Sequence, residues 1–123
     1  MVGAVVDAFN RGDLEATLEH VDPEVTVHDP ARTGASYRGH TELLRFWREW
    51  LETWDDYRIE PAELVESGEE VFLPCRQTGR GRASGLEVDQ DLYLVLGIRG
   101  GRITEFRIYA DRGQALASAG LDG

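Results

Sequence analysis

VTVHDPARTGASYRGH, residues 25–40, is the most informative stretch of this chain. It predicts a short strand that ends in a carboxylate, then a loop containing glycine, then the start of a helix. Side chains in a strand alternate between its two faces, so Val25, Val27 and Asp29 share one face. If the two valines point into a core, Asp29 does so too. A carboxylate at the end of an apolar stripe predicts a pocket rather than a solvated surface.

The composition predicts one globular domain covering residues 1–123. A length of 123 residues is enough for one core but not for two domains of ordinary size. Hydrophobic residues make up 41% of the chain, which is typical of a folded protein. A formal net charge of -10 opposes binding to nucleic acid or anionic lipid. The sequence contains no apolar run with the length of a membrane span and no recognisable leader. We therefore expect a cytoplasmic protein with neither nucleic acid nor membrane among its partners.

The basic and metal-binding side chains predict no cofactor and no metal site. All 13 basic residues are arginine, which excludes a lysine Schiff base. The 3 histidines are scattered without the spacing of metal ligands. Cys75 is the single cysteine, so it forms no disulfide within the chain. It alternates with Val71 and Leu73, which predicts a buried structural thiol rather than a nucleophile.

Helical spacing of apolar residues predicts three helices in the first half of the chain. The first has one buried stripe and ends near Gly12, and the second is capped by Asp13 and closed by Pro23. The third follows Thr41 and carries a broad aromatic stripe, which must cover a large apolar surface. The members of that stripe are Leu43, Phe46, Trp47, Trp50, Leu51 and Trp54.

From Tyr57 the apolar period changes to two, which is typical of strands. Strands are predicted at 57–66, 70–79, 86–98 and 102–110, followed by a short helix at 112–119. Helices followed by a strand meander predict an α+β fold, with the helices on one face of a curved, mostly antiparallel sheet. Such a sheet folded over three helices makes a cone with a cavity between its two layers.

Asp29 is the leading candidate for a catalytic residue. Burial against valines and tryptophan rings disfavours the charged form of a carboxylate, which raises its pKa and suits it to proton abstraction. The alternative is that Asp29 caps the turn at Pro30 or pairs with Arg32, as aspartate before proline commonly does. His28 is expected on the opposite strand face, so the adjacent His28 and Asp29 do not form a catalytic pair.

The other polar residues each have a structural alternative. Tyr37 and Arg38 flank the turn into the third helix, where they either line a pocket mouth or close a loop. Arg76 and Arg107 lie on predicted strands, where cross-strand pairing with a carboxylate is more common than substrate binding. The tryptophan stripe fits a core better than a cofactor site.

Five segments together resemble the SnoaL-like branch of the NTF2-like superfamily, over nearly the whole chain. They are FNRGDL at 9–14, VTVHDP at 25–30, YRGH at 37–40, GRITEFRIYAD at 101–111 and ALASAGL at 115–121. The resemblance implies a cone-shaped, cystatin-like fold that hosts isomerases, cyclases, dehydratases, epoxide hydrolases and non-catalytic binding modules. It also implies a homodimer formed through the outer sheet face bearing Arg76, Arg107 and Tyr109.

Within that superfamily, Asp29 followed by Pro30 resembles the general base of ketosteroid isomerase. The two hydrogen-bond donors of that enzyme do not carry over. Val5 stands where the isomerase has its first-helix tyrosine, and Leu92, Tyr93 or Leu94 stands where it has its protonated aspartate. Tyr93 is the residue that can substitute as a hydroxyl donor.

The epoxide-hydrolase pattern is also incomplete in this chain. The Arg-x-Asp sequence of that family falls on Arg76, Gln77 and Thr78, which loses the acid, and its last-strand aspartate falls on Ile108. The resemblance therefore predicts neither steroid isomerisation nor limonene-type epoxide opening.

Two functional hypotheses follow. The first is a cofactor-free isomerase, cyclase or lyase acting on an apolar carbonyl compound, with Asp29 as general acid/base and Tyr93, Tyr37 or an ordered water as donor. The predicted substrate-binding residues are Tyr37, Trp47, Trp50, Phe106 and Ile108. The second is a non-catalytic ligand-binding or dimerisation module, in which Asp29 is a rim or turn residue.

Overall fold

A tight helical corner begins the fold, in a computed structural model that describes residues 1–31 and 34–121. Helix α1 (Val2–Asn10) buries one apolar stripe against the sheet, as its spacing predicts. Gly12 has a φ of 76°, a left-handed conformation that glycine adopts without strain. Asp13 Oδ1 then accepts a hydrogen bond from the N–H of Ala16 at 3.3 Å and caps α2 (Leu14–Thr17). The predicted corner is confirmed.

A 3-10 turn at Leu18–His20 leads into the sheet. The strands are β1 (Val21–His28), β2 (Ser36–Arg38), β3 (Trp54–Pro61), β4 (Val65–Ser67), β5 (Glu70–Gly81), β6 (Glu87–Arg99) and β7 (Arg102–Tyr109). Helix α3 (Gly39–Glu52) separates β2 from β3, and α4 (Arg112–Ser118) follows β7. The strand order is β2-β1-β7-β6-β5-β3, and β4 pairs with β5 beyond the end of β3.

The sheet differs from the predicted meander in two ways. The strand predicted at 57–66 is two strands, β3 and β4, because the chain leaves the sheet after Pro61 and returns at Val65. In addition, β1 begins earlier than predicted and runs parallel to β7, while the other pairs are antiparallel. The register of β1 against β7 shifts between Val21 and Thr26. Pro23 lies within this irregularity, where a missing N–H costs no ladder bond.

The two faces of the sheet carry different helices. Helices α1, α2 and α3 share one core with the inner face, which includes Val25, Val27 and Leu96. Helix α4 packs on the opposite face, where Ala115 and Leu116 join Phe72 and Val95 in a second cluster. The expectation that the helices occupy one face is therefore wrong for α4. At this point β5 and β6 carry apolar side chains on both faces, so the outer face also needs a helix to cover it.

Asn10 fixes the end of α1 to the edge of the sheet. Its Nδ2 donates to the carbonyl oxygen of Ile59 at 2.8 Å, and its Oδ1 accepts from the Ile59 N–H at 2.9 Å. Ile59 lies in β3, an edge strand, so Asn10 satisfies both backbone groups that a further strand would otherwise pair.

Of the helices in the described part of the chain, none combines the length and the hydropathy needed to cross a lipid bilayer.

Candidate functional site

Asp29 lies immediately after β1 and is buried, as the alternation predicts. Its side chain is 1% exposed, beside Val25 at 0% and Val27 at 1%. The Asp29 N–H donates to the carbonyl of Ala35 at 3.1 Å, and the Asp29 carbonyl accepts from the Gly34 N–H at 2.8 Å. These two bonds close the loop after β1 and fix the backbone that carries the carboxylate. The proposed partner Arg32 lies outside the described residues.

An apolar cavity lies between the helices and the inner face of the sheet. We call it the inner cavity, and its volume is about 60 Å³. Its lining residues are Val2, Val5, Val6, Phe9, Phe46, Trp47, Trp50, Tyr57, Ile59, Leu73, Leu92, Leu94, Leu96 and Phe106. The polar side-chain atoms of this set are the Tyr57 hydroxyl and the indole nitrogens of Trp47 and Trp50. Ligand pockets usually exceed 300 Å³, so aromatic and aliphatic side chains fill most of the predicted chamber.

Three of the five predicted substrate-binding residues line the inner cavity, namely Trp47, Trp50 and Phe106. Ile108 is buried in the same core without lining the cavity. Tyr37 packs on Phe46 with ring centroids 4.8 Å apart, at the periphery of that core. The structure thus brings together Trp47 and Trp50 of α3 with Phe106 of β7, while Tyr37 and Ile108 lie in or beside the same core without lining the cavity.

A second cavity of about 160 Å³, which we call the vestibule, adjoins the inner cavity. It is lined by Ala31, Trp50, Trp54, Gln77, Val88, Gln90, Asp91, Leu92 and Ala110. Trp50 and Leu92 line both cavities, so these side chains form the partition between them. Ala31 is two residues beyond Asp29 and donates its N–H to the Ile108 carbonyl at 3.2 Å. The vestibule therefore borders the loop that carries Asp29.

Tyr57 and Gln77 form a buried polar pair between the cavities. The Tyr57 hydroxyl donates to Gln77 Oε1 at 2.5 Å. Tyr57 lines the inner cavity and Gln77, 7% exposed, lines the vestibule. The ring of Trp54 packs against Tyr57 at 6.0 Å and against Trp50 at 5.5 Å. Trp54 Nε1 is buried and has no hydrogen-bond partner in residues 1–31 and 34–121.

Tyr93 lies on the opposite face of the sheet from both cavities. Its ring stacks on Phe72 with centroids 6.4 Å apart, in the cluster that α4 covers. The inner-face neighbours Leu92 and Leu94 flank it in β6, so strand alternation turns Tyr93 outward. The assignment of Tyr93 as a donor beside Asp29 is corrected by this placement.

Helix α4 covers part of the outer sheet face on which the dimer contact was predicted. Arg107 is 16% exposed and donates to the Ser118 carbonyl in α4 at 3.1 Å, and Tyr109 donates to Ser118 Oγ at 2.9 Å. Arg107 is also paired with Glu70. Helix α4 thus covers this part of the face, which leaves the region around Arg76 exposed.

The exposed Arg76 pairs with Asp89 on the neighbouring strand, as predicted. The hydrogen bond from Arg76 holds the pKa of Asp89 below its ordinary value, and the same bond raises the pKa of Arg76. His28 lies on the strand face opposite Asp29, with Nδ1 2.9 Å from Ser36 Oγ and Nε2 3.3 Å from Glu105. Neither Arg76 nor His28 lines the inner cavity or the vestibule.

Cys75 is a buried thiol, as its alternation predicted. It is 3% exposed and contacts the Leu73 carbonyl at 3.4 Å. Burial raises its pKa from 9.0 to about 12, because an apolar environment disfavours the thiolate. A nucleophilic role is incompatible with this environment.

A comparison with known protein families identifies the family of this chain. The sequence model of the SnoaL-like domain matches residues 2–106. The chain belongs to the SnoaL-like family. No curated protein matches this SnoaL-like chain.

Solved structures agree with the cone-shaped NTF2-like fold. A protein with a ketosteroid isomerase-like fold from Catenulispora acidiphila, in complex with trimethylamine, has a TM-score of 0.81 at 19% identity, covering 98% of this chain and 92% of that one. An NTF2-like protein of unknown function from Burkholderia pseudomallei has a TM-score of 0.80 at 24% identity, covering 94% and 92%. A candidate polyketide cyclase from Sinorhizobium meliloti has a TM-score of 0.74 at 27% identity, covering 87% and 91%.

These likenesses support a small-molecule-binding or cyclase-type role for this SnoaL-like chain. Sequence reasoning missed Tyr57 and Gln77 as residues of the site. It also placed Trp54 on the third helix, whereas α3 ends at Glu52 and Trp54 begins β3. A signal for Gln77 was available, because it continues the buried alternation of Leu73 and Cys75 in β5. Its partner Tyr57 begins the strand pattern that was recognised, but the contact depends on the register of β3 against β5.

Proposed function

We propose that this protein binds an apolar, carbonyl-containing small molecule and catalyses a cofactor-free isomerase, cyclase or lyase reaction with Asp29 as general acid/base. The observation that carries the proposal is the burial of Asp29, 1% exposed, at the end of the apolar stripe of β1 and on the loop that borders the vestibule. Buried carboxylates are uncommon unless they have a specific partner or role.

The chemistry available to Asp29 is proton transfer at a carbon next to a carbonyl. The carboxylate takes the proton, the C–H electron pair moves toward the carbonyl oxygen, and an O–H bond forms on Asp29. Return of that proton to another carbon completes an isomerisation. In a cyclisation, the enolate carbon instead bonds to the carbon of a second carbonyl group in the same molecule, and Asp29 returns the proton to the alkoxide oxygen that forms there. Loss of a group from the next carbon, with the proton kept, completes an elimination.

The walls supplied by Trp47, Trp50 and Phe106 suit a flat apolar substrate. The position of ketosteroid isomerase's first donor is occupied by Val5, which offers no hydrogen bond. Polar recognition of the carbonyl therefore requires a group that the family pattern does not supply.

A non-catalytic binding module is the second candidate function. The small volume of the inner cavity, about 60 Å³, and its almost wholly apolar lining favour it. In that case Asp29 supports the loop after β1 and takes no part in chemistry.

Proton exchange in D₂O separates the two candidates. α-Tetralone, a flat apolar ketone, is incubated with the protein, and loss of its α-proton signal is followed by NMR. We expect exchange to be faster with the wild type than with Asp29→Asn. Asp56→Asn is the matched control, because Asp56 is exposed and has a φ of 54°, which asparagine also tolerates. Binding of α-tetralone without accelerated exchange would favour the binding module.

The carboxyl carbon of Asp29 provides a second test. If burial dominates its environment, its carbon-13 shift titrates above the value of about 4 that model peptides show. An ordinary titration would argue against a base tuned by burial.

A homodimer remains part of the proposal, since the fold is often dimeric. Because α4 covers Arg107 and Tyr109, we expect the contact to lie toward the exposed Arg76 end of the sheet. Sedimentation giving a monomer at micromolar concentration would contradict this.

A further inference from the structure

We propose that the vestibule is a subsite for an uncharged ligand oxygen, held by Trp54 Nε1 and by the amide nitrogen of Gln77. The ligand is then a neutral apolar ring compound with a carbonyl or hydroxyl oxygen at one end. This inference rests on the proposed binding of an apolar carbonyl compound, and it names the groups that recognise the oxygen.

The first observation is the indole N–H of Trp54. Trp54 lines the vestibule, and its Nε1 is buried without a hydrogen-bond partner in the described part of the chain. A buried donor left unpaired costs free energy, and most such groups in folded proteins have a partner. A ligand oxygen in the vestibule supplies the missing acceptor.

The second observation is the orientation of Gln77. Its Oε1 accepts the Tyr57 hydroxyl hydrogen bond at 2.5 Å, which fixes the amide plane and leaves Nε2 as the donor. Gln77 is 7% exposed and lines the vestibule, so this donor is also held by the fold. Two donors at one cavity specify an acceptor atom.

The charges around the vestibule select against an anionic ligand. Among the described residues that line it, Asp91 is the charged one, and Ala31, two residues beyond Asp29, lines it as well. The Asp91 carboxylate at the subsite raises the cost of bringing in a carboxylate or phosphate. A carbonyl or hydroxyl oxygen accepts the same hydrogen bonds without that cost.

The apolar part of the ligand extends toward the inner cavity. Among the residues that the structure describes, Trp50 and Leu92 line both cavities, so a shift of the Trp50 ring would join the two cavities. The joined space is apolar at the α1 end and polar at the Trp54 end, which matches a ring compound with one terminal oxygen.

Three probes of similar size test the subsite: tetralin, α-tetralone and naphthoate. Affinities are measured by tryptophan fluorescence, and the Trp54 indole signal is followed by proton–nitrogen NMR and assigned with Trp54→Phe. We expect α-tetralone to bind about fivefold more tightly than tetralin, the effect of one hydrogen bond, and naphthoate to bind most weakly. The Trp54 indole proton should move downfield with α-tetralone and not with tetralin.

Variants assign the preference to its donors. Gln77→Glu keeps an oxygen for Tyr57 and replaces the donor nitrogen, so it should remove most of the preference for α-tetralone over tetralin. Trp54→Phe should reduce the preference as well, with tetralin affinity little changed. Gln114→Glu, the same substitution at an exposed position in α4, should leave the preference intact.

The outcomes separate this inference from the proposed catalysis. Equal affinities for tetralin and α-tetralone, or a preference that survives both variants, would overturn the subsite. A normal preference in Asp29→Asn, together with no accelerated exchange in the wild type, would leave the subsite standing and reject the catalytic role. Failure of all three probes to bind would overturn both.

Discussion

Removal of the Asn10 side chain should loosen the wall of the inner cavity and lower the stability of the whole domain. In Asn10→Ala the Ile59 carbonyl loses its bond from Nδ2 at 2.8 Å, and the Ile59 N–H loses its bond to Oδ1 at 2.9 Å. Ile59 lines the inner cavity from an edge strand that has no other neighbour on that side. Both backbone groups must then find water at a partly buried position.

The expected cost follows from these two bonds. Each contributes roughly 1 kcal/mol net, so their loss lowers the free energy of unfolding by about 2 kcal/mol. Alanine is a better helix former than asparagine by about 0.6 kcal/mol at most, and Asn10 is the last residue of α1, so this gain offsets only part of the loss. For a domain of this length the midpoint temperature should fall by roughly 5 to 10 °C.

Thermal unfolding followed by circular dichroism measures the stability change, and hydrogen exchange of the Ile59 amide measures the local one. Arg11→Ala is the matched control, because Arg11 is the exposed neighbour of Asn10 at the same helix end. We expect Asn10→Ala to lose protection at Ile59 selectively, with Val95 in the second cluster little affected. A stability within about 0.5 kcal/mol of Arg11→Ala, or unchanged protection at Ile59, would refute the role assigned to Asn10.

Three further predictions concern the core and the outer face. Trp50→Ala removes the ring between the two cavities, so tetralin should bind more tightly and more rapidly. Weaker binding would show that the Trp50 ring contacts tetralin and does not block its entry. Cys75, whose pKa is raised by burial from 9.0 to about 12, should resist thiol reagents at pH 8. The pKa of Cys75 is higher in the folded than in the unfolded state, so the stability that the thiol contributes is present below pH 9.0 and is lost as pH rises toward 12. In alkaline denaturation the wild type should therefore lose stability faster than Cys75→Ala. Arg107→Met leaves Glu70 and Glu105 without their shared cation; chemical unfolding should show a loss of about 2 to 3 kcal/mol, and a neutral effect would mean that α4 is held by apolar packing alone.

Much of the fold was predictable because local patterns determine it. The period of the apolar residues identified α1, α3 and the long strands β5, β6 and β7, and the Gly12 and Asp13 pair identified the helical corner. The parallel pairing of β1 with β7 was not predictable, since it joins strands about 80 residues apart and no local pattern records it. The face taken by α4 depended on Tyr93 and Val95, which alternate with the inward-facing leucines of β6 and form an apolar patch with Phe72 on the outer face.

The site was predictable to the extent that strand alternation controls it. Alternation placed Asp29 with Val25 and Val27, and it also opposed a catalytic position for Tyr93. The size of the inner cavity was not predictable, because it depends on how the rings of Trp47, Trp50 and Phe106 pack against one another in three dimensions. The pair of Tyr57 and Gln77 depends on the β3 register, in which Ile59 lies opposite Gln77.

The distribution of polar groups bears on where any chemistry takes place. The polar side-chain groups of the described residues that line the inner cavity are the indole N–H groups of Trp47 and Trp50 and the Tyr57 hydroxyl, which already donates to Gln77. Unpaired negative charge in an apolar cavity is strongly disfavoured. Trp54 Nε1, which has no hydrogen-bond partner in the described part of the chain, and the Gln77 amide lie at the vestibule, which also borders the Asp29 loop. Under the proposed function, proton abstraction and carbonyl recognition would therefore take place together at the vestibule, and the inner cavity would hold the apolar body of the substrate.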